Sequence, residues 1–279
     1  MANCLLAPIN WAAMAGVAWS GGDWAPSLPL ANLASTDTLA VARSATAAAG
    51  DTVIAVDLGA QRLWDVLCLA WANLSPDAAV RVTSDEGYDS GWVAAYPVTH
   101  VPVAGRLPFG RPAADGRMPA DERDPRGVSW LLALPAAVTA SALTVAIADE
   151  GNPDGYLQAG CLWVAKAERP AIGLQDGLAV TAVEESTARR SLGGTLIGRR
   201  LWRRRRIAAA LRWQDRDVAL GTWFETARMA GRTRPLLFAV EGEGVHGGRL
   251  AMIGHLDEAT PIEHAAWRHW GWPFAITEA

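Results

Sequence analysis

Histidines, acidic turns and an arginine run are the residues here whose types could do chemistry. His246, His255 and His264 recur at even spacing, with His269 close behind. Three imidazoles could ligate a metal if adjacent strands brought them together. No Cys pair or His-x-x-x-His spacing supports that, so they read as surface or core histidines and no metal is expected. Asp149-Glu-Gly-Asn-Pro-Asp-Gly155 offers oxygen ligands, but Gly151 and Pro153 stand where an EF-hand loop needs side chains, so it reads as a turn. Gly242-Glu-Gly-Val-His-Gly247 matches G-x-G-x-x-G. A dinucleotide site needs a helix N-terminus next, whereas the pattern predicts a strand, and Glu243 would repel phosphate. A glycine-rich hairpin turn is the better reading. No G-x-S-x-G, Walker loop or nucleophilic Cys signature occurs. Glu184-Glu185 and Asp257-Glu258 are neighbours in sequence, and neighbours on a strand point to opposite faces, so they make poor catalytic pairs. The expectation is a non-enzyme with no catalytic residue and no cofactor.

Arg199-Arg-Leu-Trp-Arg-Arg-Arg-Arg206 is the strongest charge feature. Alone it suggests nucleic acid. The whole chain carries net charge −4, which argues against a nucleic-acid binder. The run leads into an alternating strand, so one of its faces must meet water or an acidic neighbour. We read it as an intersubunit or lumenal strand that pairs electrostatically with another protein, with Trp202, Arg203, Arg204, Arg205 and Arg206 as interface residues.

These residues belong to a chain of 279 residues, 51% hydrophobic and 19% charged, long enough for one large or two medium domains and too apolar to be disordered. No apolar run reaches the ~18 residues of a membrane helix. The apolar start lacks a basic region and is broken by Pro8 and Asn10, so it does not read as a signal peptide. Cys4, Cys68 and Cys161 are odd in number and widely spaced, which fits no disulfide framework and suits a reducing compartment. Trp occurs 14 times, and Lys166 is the only lysine, so nearly all positive charge is Arg; both Trp and Arg are enriched at interface hot spots.

The elements are short strands between turns. Thr52–Val56, Leu63–Trp71, Ala79–Thr83, a strand opened by Trp92, Val128–Leu134, Ala142–Ala148 and Leu157–Ala165 succeed one another with no long amphipathic helix. That pattern indicates a β-sandwich or jelly roll over residues 28–168, after an N-terminal arm at 1–27. Residues 97–127 are rich in Pro, Gly and Arg and form a long loop, whose Arg106, Phe109 and Arg111 we add to the interface set. A boundary falls near Glu168-Arg-Pro170. In 169–279, Leu178–Glu184 and the alternating Ile207, Ala209, Leu211 and Trp213 read as strands. Asp215 is placed to cap a helix whose face is Ala219, Trp223, Phe224, Ala227 and Ala230, stopped by Gly231. Leu236–Val240 with Leu250–Leu256 reads as a hairpin, and Trp267–Ile276 as a last strand. The fold class is mainly β: a jelly-roll or discoidin-like sandwich, then a second β-rich domain with one packed helix.

Pro29-Leu-Ala-Asn-Leu33, Val41-Ala-Arg-Ser44, Val56-Asp-Leu-Gly59, Leu69-Ala-Trp-Ala-Asn-Leu-Ser75, Val80-Arg-Val-Thr-Ser84 and Trp92, closed by Tyr156–Gly160 and Leu162–Val164, follow in an order that resembles the discoidin-like, galactose-binding-type sandwich of tail-tip proteins from long-tailed phages. Arg203–Trp213 and Gly231–Phe238 are similar to segments of distal tail or baseplate proteins. The resemblance implies a structural component of the virion tail tip, made in the bacterial host cytoplasm. It implies a homo-oligomeric ring joining the tail tube protein to baseplate hub proteins, with the tape-measure protein as a neighbour and a host glycan as a further partner. The alternative is a carbohydrate-binding module that grips host surface sugar through exposed Trp. A glycan hydrolase is a third reading, and it would need two carboxylates some 5–10 Å apart in a cleft. No membrane or nucleic-acid partner is expected.

Overall fold

Runs that alternate apolar and polar residues need a partner strand and a covered face, and this chain satisfies both by antiparallel pairing. The structure is a computed structural model that describes residues 4–96, 128–184, 186–191, 193–194, 196–199, 203–242, 247–258, 260–266 and 268–279. The chain is mainly β, and the described strand pairs are antiparallel. It divides into two compact units. The first holds residues 2–169 and 237–252, and the second holds 170–236 and 253–279. Segment 237–252 thus clusters with the sandwich, although its sequence position lies within 169–279.

In the first unit the strands are β1 (Leu5–Ala7), β2 (Ala18–Ser20), β3 (Ala42–Arg43), β4 (Ile54–Ala72), β5 (Ala79–Ser84), β6 (Val93–Ala94), β7 (Val128–Ala148), β8 (Gln158–Ala159) and β9 (Cys161–Ala165). The main sheet runs β2-β4-β7-β5-β6, with β9 also on β4. Two expectations need correction here. Thr52–Val56 and Leu63–Trp71 are not separate strands but one strand, β4, which stays paired with β7 across a register shift between Asp57 and Arg62. Gly59 makes that shift feasible at φ +69, where its amide donates to Asp57 Oδ1 at 2.9 Å. Likewise Pro135 does not end a strand. It is exposed in a ladder gap between Ala133 and Val138, where its missing N–H costs no bond, and β7 continues to Ala148.

The core of this unit includes Ile54, Val56, Trp64, Leu67, Val80 and Leu162. The stretch from Trp64 to Ala72 is buried at every position, the mark of a strand covered on both faces. The first residues are not a free arm: Cys4–Ala7 are fully buried, and β1 pairs with β14 (Leu236–Ala239), Leu5 opposite Ala239.

In the second unit, β10 (Ala179–Glu184) pairs with β13 (Arg203–Gln214), and β13 pairs with β17 (His269–Glu278). The strands β11 (Thr187–Arg190) and β12 (Leu196–Arg199) pair with each other. Gly231, at φ +54, ends the helical stretch, which begins with a π-helical segment at Val218–Trp223 and ends as α1 (Phe224–Ala230). Asp215 starts it with its backbone carbonyl, which accepts from Ala219 N, rather than with a side-chain cap. The wide π turn alters the buried face: Ala219, Trp223, Thr226 and Ala230 are buried, while Phe224 is half-exposed. Trp223 stacks on Trp272 at 6.5 Å between ring centroids.

Ile207, Ala209 and Leu211 face inward as expected, but Trp213 does not follow them. A bulge between Leu211 and Gln214, with Trp213 at φ +61, shifts the alternation by one residue, so Gln214 is buried and Trp213 is 50% exposed. After Gly242 the chain makes the helical turn α2 (Gly247–Leu250) before β15 (Ala251–Leu256), where a strand alone was expected. The remaining strand is β16 (Glu263–Ala266), paired with β17.

Candidate functional site

The edge hairpin formed by β5 and β6 carries an exposed aromatic ring, Trp92, and a charge pair, Arg81 with Asp89. Val80 lies opposite Val93, and nearer the turn Thr83 lies opposite Asp89, so the register shifts by one residue between the two pairs. Val80 is buried, and side chains alternate along a strand, so Arg81 points outward. Trp92 is 53% exposed. Arg81 grips Asp89 in a fork, Nε to Oδ1 at 2.9 Å and Nη2 to Oδ2 at 2.5 Å. Gly91 N also donates to Asp89 Oδ1 at 2.9 Å. The bond from Arg81 and then that from Gly91 hold the Asp89 carboxyl at about 2, so it is ionised at neutral pH.

The turn beneath is rigid. Ser90 Oγ accepts from Val82 N and donates to Gly91 O, while Ser84 Oγ accepts from Tyr88 N. Tyr88 packs edge-on against buried Trp64, 5.4 Å between centroids. Arg81 keeps three unused N–H donors and Asp89 keeps lone pairs. A flat exposed indole can stack on an apolar ring face, and a positioned donor–acceptor pair can bond hydroxyl groups. Sequence reading passed over Arg81 and Asp89, because Ser84–Ser90 looked only like a polar turn. The available signal was opposite charges flanking a Gly-containing turn between strands.

The expected interface residues fare differently. Arg106, Phe109 and Arg111 lie in 97–127, outside the described residues, as does Trp202. Arg203 lies opposite Glu184, and Arg204 opposite Val183. Arg205 pairs with Glu278 at 2.5 Å, and Arg206 with Asp257 at 2.6 Å. The acidic neighbour that this strand required is therefore, for Arg205 and Arg206, within the chain itself.

Among the described residues, no group of three His, Cys, Asp or Glu is placed to hold a metal. His264 lies against Trp270 and His269 against Trp213, at 5.2 and 5.5 Å between centroids. Burial and then Arg204 push the His255 imidazole below its ordinary value. The three cysteines are free and buried, and burial pushes the Cys4 thiol up to about 12. In the acidic turn, Asp149 Oδ2 accepts from Ser75 N and Asn152 Nδ2, which ties the turn to the strand end.

No family model and no curated protein matches the chain. Among solved structures, it is similar to the family 32 carbohydrate-binding module of Clostridium perfringens NanJ, solved in complex with galactose: 8% identity, TM-score 0.35, covering 59% of this chain and 99% of that one. It is also similar to chitosan-binding module 1 of a Paenibacillus sp. IK-5 chitosanase/glucanase, with 13% identity, TM-score 0.34 and coverage of 56% and 98%. A third similar structure, SpGH29, has 15% identity and TM-score 0.37, and the match spans 57% of this chain but only 28% of that one.

Proposed function

We propose that this protein binds carbohydrate without turning it over, and that its first unit holds a pyranose ring on Trp92. The carrying observation is an exposed indole and the Arg81–Asp89 fork carried on one hairpin braced by Ser84, Ser90 and Tyr88. A pyranose offers an apolar face of C–H groups to the ring and equatorial hydroxyls to the charge pair. The structural neighbours named above include one solved in complex with galactose and one that is a chitosan-binding module. The test is a glycan array probed with the full chain, followed by titration of each hit. Binding that Trp92→Ala abolishes supports the reading. Binding that survives Trp92→Ala, or no glycan binding at all, overturns it, and release of reducing ends would point instead to a hydrolase.

A second reading is a phage tail-tip ring component, with tail tube, tape-measure and hub proteins as its partners in the virion. The observation in its favour is the order of sequence segments quoted above, of which Val56–Gly59, Leu69–Trp71 and Val80–Ser84 fall in β4 and β5, both paired with β7. None of the structural neighbours named above is a tail protein. Incorporation of the chain into purified tails would distinguish this reading from a free sugar-binding module.

A further inference from the structure

Glu184 lies opposite Arg203, and Thr187 lies opposite Arg199, so only residues 185–186 and 200–202 separate the two paired blocks. The third strand, β17, pairs with β13 only from Arg206 onward. Among the described residues, no third strand pairs with β11 or β12. An isolated two-stranded ribbon is marginal in water and gains from a partner.

Charge says what the partner is like. Residues 184–204 contain six arginines and two glutamates, net +4, so a chain of net −4 carries −8 elsewhere. Arg189 and Arg190 are exposed on the ribbon and make no ion pair with another described residue. The complementary feature lies in the same unit. A cavity of about 380 Å³ is lined by Asp176, Asp257 and Glu258 over a floor that includes Ala208 and Ala275, and its one basic group is Arg206. Arg206 is already engaged by Asp257, while Asp176 and Glu258 make no ion pair with another described residue. A guanidinium fits such a slot, its fork on the carboxylates and its methylenes on the alanine floor.

On the ribbon, Arg189 and Arg190 lie opposite Ile197 and Leu196, whereas on β13 the cavity is lined by Arg206 and Ala208–Ala210. We propose that the β11–β12 ribbon docks on a second copy of this chain, with one guanidinium of the Arg189–Arg190 pair, the one on the docking face, entering the neighbour's Asp176–Glu258 cavity. Such a contact joins two different patches, so each copy both gives and receives a ribbon and the assembly grows as a ring or a filament. It stands independently of the sugar-binding reading.

The test is sedimentation velocity of the full chain over a concentration series at low and high salt. Wild-type chain should self-associate, and high salt should weaken it. Arg189→Glu with Arg190→Glu, and separately Asp176→Arg with Glu258→Arg, should each weaken association by at least about tenfold, a typical scale for close charge pairs. Circular dichroism and thermal unfolding like wild type would show that each variant folds. Mixing the two charge-reversed variants should restore association, now between unlike chains only. The proposal is overturned by a wild-type chain that stays monomeric at low salt, by folded variants that associate as tightly as wild type, or by failure of the mixed variants to pair.

Discussion

Arg205 on β13 and Glu278 at the end of β17 form a clamp across the sheet of the second unit. Arg205 Nη2 lies 2.5 Å from Glu278 Oε1, while Arg205 Nε and its own backbone amide both donate to Oε2 at 3.1 Å. Glu278 is 6% exposed, so its charge needs partners, and Arg205 is one of them. Arg205→Met leaves a buried carboxylate without its guanidinium and is expected to cost about 3 kcal/mol, measured by urea unfolding. The double change with Glu278→Leu should recover much of that loss, because removing both charges removes the desolvation penalty.

In the first unit, Asp65 is 3% exposed and is met by Arg169 Nη1 at 2.5 Å and by Ala167 N at 2.7 Å. Arg169 Nη2 also donates to Leu134 O at 3.0 Å, so one guanidinium joins β4, β7 and the end of the unit. Asp65→Ala is expected to destabilise by roughly 3 kcal/mol or more and to lower the thermal midpoint. A loss below about 1 kcal/mol would show that the pair adds little here.

Trp92 sits outside the core, so Trp92→Ala should change unfolding free energy by no more than about 0.5 kcal/mol. The same change should weaken affinity for a glycan found on the array by about tenfold or more, given ~1 kcal/mol for ring stacking alone plus lost orientation. Calorimetry on the two proteins separates these outcomes.

Asp89 supplies a pH test with a definite sign. Its folded-state pKa, about 2, lies below the ordinary carboxylate value. A depressed value means that its contribution is present above the unfolded pKa near 4 and is lost as pH falls through 2. An Asp89→Asn variant should therefore differ from wild type in hairpin order at neutral pH and converge with it by pH 2. Carboxyl carbon shifts in an NMR titration would give the value directly, and an Asp89 midpoint near 4 would contradict the fork geometry.

His255 has the opposite requirement. Burial and Arg204 lower its pKa, so the folded state favours the neutral ring. Acidification below the unfolded value near 6.5 should then destabilise the second unit. Replacing Arg204 with Ser should raise the His255 midpoint, read from its ring proton shifts. An unchanged midpoint would leave burial as the whole cause.

Period-two alternation was enough to identify β5 and most of β13, and with them the mainly β class, because a half-covered strand must alternate; β10 alternates in sequence too, but in the fold nearly all its positions are exposed. Gly231 marked the end of the helix for an equally local reason, its positive φ. Composition showed where arginine concentrates. What a local reading could not contain was decided by tertiary structure. Continuity of β4 through Gly59 and of β7 through Pro135 depends on a partner strand that carries the ladder past each interruption. The side that Trp213 faces depends on a bulge set by pairing with β17. The partners of Arg205 and Arg206 arrive from residues 278 and 257, and Arg81, Asp89 and Trp92 come onto one hairpin only when β5 and β6 pair. Local pattern determines which residues prefer a strand, a turn or a helix end. Long-range pairing determines which charges are neutralised inside the chain and which side chains are left to meet a ligand or a neighbour.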